Sequence, residues 1–382
     1  MMDSAVISSN ERYSGLDILR ALAILVVIPN HIYKELKIPF LTVLGKNGWC
    51  GVDLFFVLSG FLMGEQLLKA ISQNETKYFF AKFYFKRAFR ILPAYWTILA
   101  IYYFFPALWE HEYMPSIWKF LTFTQNIGLN SSAFSHAWSL CVEEQFYLIL
   151  PLLLFFGFGK LRDKQLVQIF VGIAIAGFSV RLVSFSLITP DQFLPYIYYP
   201  TWTRLDPLMV GVYLVLIKQF RPQIWSRMTK NGQLSFWVGF FCILLGLSFN
   251  KNQNYFLASI CFPLIAFGCG GLLLSSLSPS FWLSKARIPG VPMIATLSYG
   301  IYLTHKQVAH LMMRVLGDKG LNLNPGIILV LDLIAIFLVG NILYYVVEKP
   351  FLNLRYWLQS RLFSKEEKSS IDYQITQEKI LI

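Results

Sequence analysis

An all-α bundle of about ten transmembrane helices is the fold class this sequence predicts. Three observations carry it: 56% of its 382 residues are apolar, only 14% are charged, and apolar runs of membrane-spanning length recur along the whole chain. Ordinary globular chains are about 25% charged, so a water-facing surface cannot be assembled from this composition, and a soluble catalytic domain is excluded. Ten spans of about 20 residues would take about 200 residues, leaving the remainder for loops and tails.

The candidate spans cover residues 16–33, 50–68, 91–108, 138–158, 165–188, 196–217, 234–249, 255–277, 293–313 and 326–347. Residues 1–15 are polar, and the first apolar run carries Asp17 and Arg20, so it does not read as a cleavable signal. The net charge of +12 is read as topogenic rather than as a nucleic-acid footprint. With the N-terminus inside, the inner segments collect Lys82, Lys86, Arg87 and Arg90, then Lys218, Arg221, Arg227 and Lys230, then Lys349, Arg355 and Arg361. The outer segments hold scattered cations such as Lys46, Lys119 and Arg314. The expected topology is therefore N-in and C-in, with a cytoplasmic segment over 1–15, one transmembrane domain over 16–351 and a cytoplasmic tail over 352–382. Cys242, Cys261 and Cys269 fall inside apolar runs and the total of five is odd, so the cysteines read as small hydrophobes rather than a disulfide framework.

Arg20, Arg181, Arg204 and Lys306 fall within spans. A charge there is costly unless it faces a paired or wet interior, which makes each a functional-site candidate. In the first span Arg20 and His31 are eleven residues apart, about three turns, and so share a face about 16 Å apart along the axis. Pro29 is expected to bend or open the helix beside His31. A snorkelling arginine and an interfacial histidine would account for either residue alone. The second span opens with GVDLFFVLSG, in which Ser59 and Gly60 suit close helix packing while Asp53 is harder to explain that way.

Lys82, Lys86 and Arg90 recur every four residues opposite an apolar stripe, predicting an amphipathic helix on the inner surface. Anchoring to anionic lipid explains part of that charge. Arg87 and Arg90 beside Tyr95 and Trp96 would also suit a phosphate-bearing nucleotide, through bidentate contacts and ring stacking. The fourth span opens with SHAWSLCVEEQFY. Glu143 and Glu144 cannot share one face, so at least one points into the bundle, and His136 lies two turns before Glu143. A carboxylate beside a histidine fixes its tautomer, as a general base requires. Further on lie Arg204 and Asp206 in TWTRLDPLMVG, Ser298, Tyr302 and His305 in LSYGIYLTHKQ, and Glu348 in VVEKPF.

Sorted by depth, these residues make two chemically different mouths. That suits an enzyme taking a donor from one side, or a proton-coupled carrier or glycan exporter using the same buried charges as a relay. No HExxH, CxxC, P-loop, GxGxxG or GxSxG motif is present, and no metal site is expected.

The ordered set GLDILRALAILVVIPNH, GVDLFFVLSGF, FYFKRAFRILPAYW, HAWSLCVEEQFY, RLDPLMVG, LSYGIYLTH and VEKPF resembles the membrane-bound acyltransferase type 3 family from about Leu16 to Phe351. The resemblance implies ten spans in a bacterial cell membrane. It also implies transfer of an acyl group, usually acetyl or succinyl, from cytosolic acyl-coenzyme A to hydroxyls of surface glycans, lipid-linked glycans, peptidoglycan or secreted small molecules. Acyl-coenzyme A would be a co-substrate, with no tightly bound cofactor. The family's first-motif arginine and histidine fall on Arg20 and His31, its basic pair on Arg87 and Arg90, and its WSL-motif glutamate on Glu143. His31 becomes the expected acyl-transfer histidine and Glu143 its orienting carboxylate, with Asp53 in the catalytic set. Lys86, Tyr95 and Trp96 join the donor site, and Arg204, Asp206, His136, Ser59, Tyr302 and His305 support the acceptor. Thr304 stands before His305 where the family more often has an aromatic residue. Some relatives append a soluble hydrolase-like domain, for which no room is expected here.

Overall fold

The computed structural model describes residues 14–72, 78–157, 163–249, 255–318 and 323–363, and among them there are helices and no strands. In chain order the helices are α1 (Ser14–Leu36), α2 (Pro39–Asn47), α3 (Cys50–Ser72), α4 (Phe79–Phe104), α5 (Ile117–Leu121), α6 (Trp138–Gly157), α7 (Asp163–Leu187) and α8 (Asp206–Phe220). They continue as α9 (Pro222–Lys230), α10 (Gly232–Ser248), α11 (Tyr255–Ser276), α12 (Trp282–Lys285), α13 (Val291–Asp318), α14 (Pro325–Leu343) and α15 (Lys349–Leu362). The expected cytoplasmic residues before Ser14, the cations Lys77, Lys160 and Arg162, and the tail from Ser364 lie outside the described residues.

Among the described residues, six helical stretches are long and apolar enough to cross a membrane, and α9 with α10, bent by 81° at their junction, would make a seventh as one broken span. Nine of the ten expected spans overlie a long helix; the sixth, 196–217, does so only in its second half, because residues 196–205 form short π and 3-10 turns that α8 follows from Asp206. α8 and α10 have only 15 and 17 residues. α4 keeps its basic half continuous with its apolar half: residues expected as a separate surface helix and a following span form one 26-residue helix. α1 likewise runs unbroken through Pro29.

Small residues set the helix spacing. A Cβ on Gly60 of α3 would collide with the backbone carbonyl of Leu208 in α8, and one on Gly211 with that of Val57, so the two backbones touch. Gly239 and Gly268 do the same for α10 and α11, and a Cβ on Gly300 would come within 2.9 Å of the Gly340 carbonyl between α13 and α14. The helix from Pro325 to Leu362 widens to π geometry over Tyr344–Glu348, just before Pro350, which offers no N–H to the preceding turn.

Candidate functional site

Three imidazoles from three separate segments converge at the end of the bundle that holds the last turns of α1. His31 of α1 lies 4.9 Å from His305 of α13 and 6.4 Å from His136, and His136 lies 5.3 Å from His305, between ring centroids. His136 sits on the 3-10 turn Ser135–Ala137 that leads directly into α6. His136 and His305 are buried, while His31 is partly exposed.

Hydrogen-bond partners assign two tautomers. His305 Nδ1 reaches the carbonyls of Tyr302 at 2.8 Å and Ile301 at 3.2 Å, and carbonyls only accept, so Nδ1 carries the proton and Nε2 keeps its lone pair. His136 Nε2 reaches the Leu303 carbonyl at 3.2 Å and therefore donates, which leaves Nδ1 as the basic nitrogen. Both His305 Nε2 and His136 Nδ1 are buried without a hydrogen-bond partner. Glu110 Oε1 stands 4.0 Å from His136 Nδ1. Among the described residues, no group of three or more His, Cys, Asp and Glu side chains is arranged to hold a metal ion.

A ladder of polar side chains descends from this cluster. Tyr302 donates to the His136 carbonyl at 2.6 Å and shares a 2.5 Å hydrogen bond with Ser139, one turn along α6. Two turns beyond His136, Glu143 accepts from Ser59 at 2.9 Å and from Tyr147 at 3.2 Å. Arg87 lies over the Tyr147 ring at 3.8 Å and binds Glu144 at 3.2 Å, and Arg90 faces buried Glu348 at 3.8 Å. His136, Ser139, Glu143 and Tyr147 follow helical spacings of three and four, which is why they line one face of α6. At the foot, Arg20 faces Asp17 at 3.7 Å. Asp17 borders a cavity of about 1120 Å³ that is also lined by Lys285, Arg287, Asn341 and Tyr344.

The structure brings His31, His136, His305 and Tyr302 together, and separately Glu143, Ser59 and Arg87. The expected contact between His136 and Glu143 is not formed: Glu110 stands beside His136 instead. Tyr95 lies two turns beyond Arg87, with its ring stacked on Phe123 and Phe134 at 4.8 and 5.7 Å and its hydroxyl donating to the Phe120 carbonyl. Trp96 points outward, 48% exposed, and Lys86 is half-buried on the basic half of α4.

Arg204 and Asp53 form a wholly buried ion pair at 2.9 Å, with the guanidinium 4.4 Å from Phe262 and 4.9 Å from Tyr198. Asp206 instead takes Arg181 in a bidentate pair at 2.5 and 3.1 Å. Two of the four intramembrane cations are thus neutralised by carboxylates on neighbouring elements. Sequence reasoning missed Glu110, which sits in an irregular loop with no periodicity to flag it. It also missed the network in which Gln145 donates to the Phe123 carbonyl and to Asn126 and accepts from Thr201, tying the loops before and after α6 and α7 to the bundle.

The acyltransferase-domain family model matches residues 13–346. The peptidoglycan O-acetyltransferase OatA of Listeria monocytogenes is 27% identical over 368 residues, covering 90% of this chain and 56% of the relative. A putative O-acetyltransferase of Staphylococcus aureus strain COL is 28% identical over 362 residues, 88% of this chain and 57% of that protein. The putative peptidoglycan O-acetyltransferase YrhL of Bacillus subtilis is 27% identical over 368 residues, 90% and 55%. The chain spans a little over half the length of these curated relatives. No solved structure matches it.

Proposed function

Because this chain belongs to the acyltransferase-domain family, we propose that it is an integral-membrane O-acyltransferase. In this reading it moves an acyl group, expected to be acetyl, from cytosolic acyl-coenzyme A to a hydroxyl of an extracytoplasmic or lipid-linked glycan. The observation that carries the reading is the partly exposed imidazole of the cluster, His31, backed by two buried ones and standing above a polar ladder that ends in arginines. Peptidoglycan, which the relatives from Listeria and Bacillus are named for, is a glycan of the right class.

All ten expected spans cross the membrane in this reading, with α4, α8, α10 and α13 completing the set and both ends of the chain in the cytoplasm of a bacterial cell. The broad cationic foot supports that orientation, since Lys and Arg collect on the cytoplasmic side. Coenzyme A is rich in phosphate, and Arg87, Arg90, Lys86 and Arg20 are assigned to its nucleotide end. Tyr344 of the cavity lies four residues before Glu348, the partner of Arg90, so the cavity and the arginine pair belong to one entrance.

The pantetheine arm then follows the ladder past Glu143 to His31. There His31 takes the proton from the acceptor hydroxyl as the oxygen attacks the thioester carbonyl. A C–O bond forms, the C–S bond breaks, and the proton is returned to the departing thiolate, leaving an ester and free coenzyme A. General-base help of this kind is typically worth about 10² to 10⁴ in rate. Brief acylation of His31 itself gives the same products in two steps. Arg204 with Asp53, and Asp206 with Arg181, brace the walls from which His31 is presented.

Purified protein supplied with radiolabelled acetyl-coenzyme A and an envelope glycan extract tests the reading. Label in the glycan is the expected result. Proton-coupled uptake of glycan without acyl transfer would instead establish the carrier reading.

A further inference from the structure

Among the described side chains, Glu110 brings a carboxylate to 4.0 Å from an imidazole of the histidine cluster, and it is held there by two hydrogen bonds. Its side chain is 5% exposed; Tyr102 donates to Oε1 at 2.6 Å and the Phe134 N–H donates to Oε2 at 3.3 Å. Phe134 has a left-handed backbone, φ 56°, a conformation that costs a bulky residue energy and is held here by that hydrogen bond and by ring contacts with Tyr102 and Phe120. Two residues later comes His136, so Glu110 fixes the turn that presents the imidazole as well as facing its basic nitrogen.

We propose that Glu110 is a positioning residue that makes His136 the proton store of the acyl-transfer site. The inference rests on the O-acyltransferase reading. The proton that leaves the acceptor hydroxyl must wait somewhere between attack and departure of the thiolate. His31 takes it first, and the neighbouring rings offer two lone pairs, His305 Nε2 and His136 Nδ1. The second faces the Glu110 carboxylate. A proton on His136 Nδ1 creates an imidazolium whose charge Glu110 opposes from 4.0 Å, while Nε2–H stays on the Leu303 carbonyl. The proton then goes back through His31 to the thiolate sulfur, and no group is gained or lost. Lys306, whose ammonium donates to Ser135 at 2.8 Å, and Lys34, one turn beyond His31, are the cations near the cluster, and Glu110 opposes their charge.

Glu110→Gln tests the proposal, because the amide retains an acceptor for the Phe134 N–H while removing the charge. The assay is turnover of acetyl-coenzyme A with chitopentaose as the glycan probe, using the full chain in lipid nanodiscs. The expected result is a fall in kcat of tenfold or more with KM for both substrates unchanged, and recovery of part of the rate in Glu110→Asp. Tyr102→Phe, which removes a hydrogen bond to Glu110 but keeps its charge, should lower kcat by clearly less than Glu110→Gln. Equal effects of Glu110→Gln and Tyr102→Phe, or no effect of Glu110→Gln, would overturn the role of Glu110 alone. A wild-type protein that transfers no acyl group would overturn the acyltransferase reading itself, and the inference with it.

Discussion

Arg204 Nη2 lies 2.9 Å from Asp53 Oδ1, and neither side chain is exposed at all. The pair joins the start of α8 to the first turn of α3, which Gly60 and Gly211 bring into backbone contact. Removing one partner strands the other charge in a medium that cannot solvate it, a loss of about 3 to 5 kcal/mol. Arg204→Ala or Asp53→Ala should therefore lower the melting temperature in detergent sharply. The double replacement Arg204→Met with Asp53→Leu should recover much of the loss. A single variant that melts like wild type would show that the pair contributes little.

Arg87 and Arg90 each already hold a carboxylate, Glu144 and Glu348, on the inward side of α4. If they also grip the donor's phosphates, Arg87→Ala with Arg90→Ala should raise KM for acetyl-coenzyme A by about tenfold or more, since a hydrogen bond to a charged group is worth about 1.5 to 3 kcal/mol. KM for the glycan should stay constant. Monodisperse elution on size exclusion checks that the variant folds, and an unchanged donor KM would remove both arginines from the donor site.

The topology assigned here places Lys119 outside and Arg227 inside. With the native cysteines replaced by serine, Lys119→Cys should react with an impermeant maleimide in intact cells, whereas Arg227→Cys should react only after the membrane is opened. The reverse pattern would invert the protein and with it the side from which the donor arrives.

The helical bundle was legible in the sequence because spanning a bilayer demands long apolar runs, and nine of the ten runs overlie long helices while the sixth is half turns. Arg20 and His31 were legible for the same reason: a charge and an imidazole on one apolar helix are conspicuous. Partnerships were not. Asp53 and Arg204 are 151 residues apart, and His136 meets Leu303 across 167, so their pairing follows from tertiary packing, which for the first pair is the α3–α8 glycine seam, rather than from any local pattern. Glu143 looked like the partner of His136 because helical spacing puts both on one face of α6. The structure places its partners elsewhere: Ser59 of α3 and Tyr147, one turn on in α6, donate to the oxygens of Glu143. Tyr95 and Trp96 looked like a stacking pair at the cationic mouth. The apolar half of α4 carries them away from it, into the aromatic core and out to its surface.

The account turns on His31, and sealed vesicles test it most directly. Protein is reconstituted so that labelled acetyl-coenzyme A is enclosed with the cytoplasmic face and the glycan is supplied outside, and the label reaching the glycan is measured for wild type and for His31→Ala. Wild type should label the external glycan and His31→Ala should lose at least about 10² in rate. Equal labelling by the two proteins would contradict the assignment of this histidine as the acyl-transfer residue.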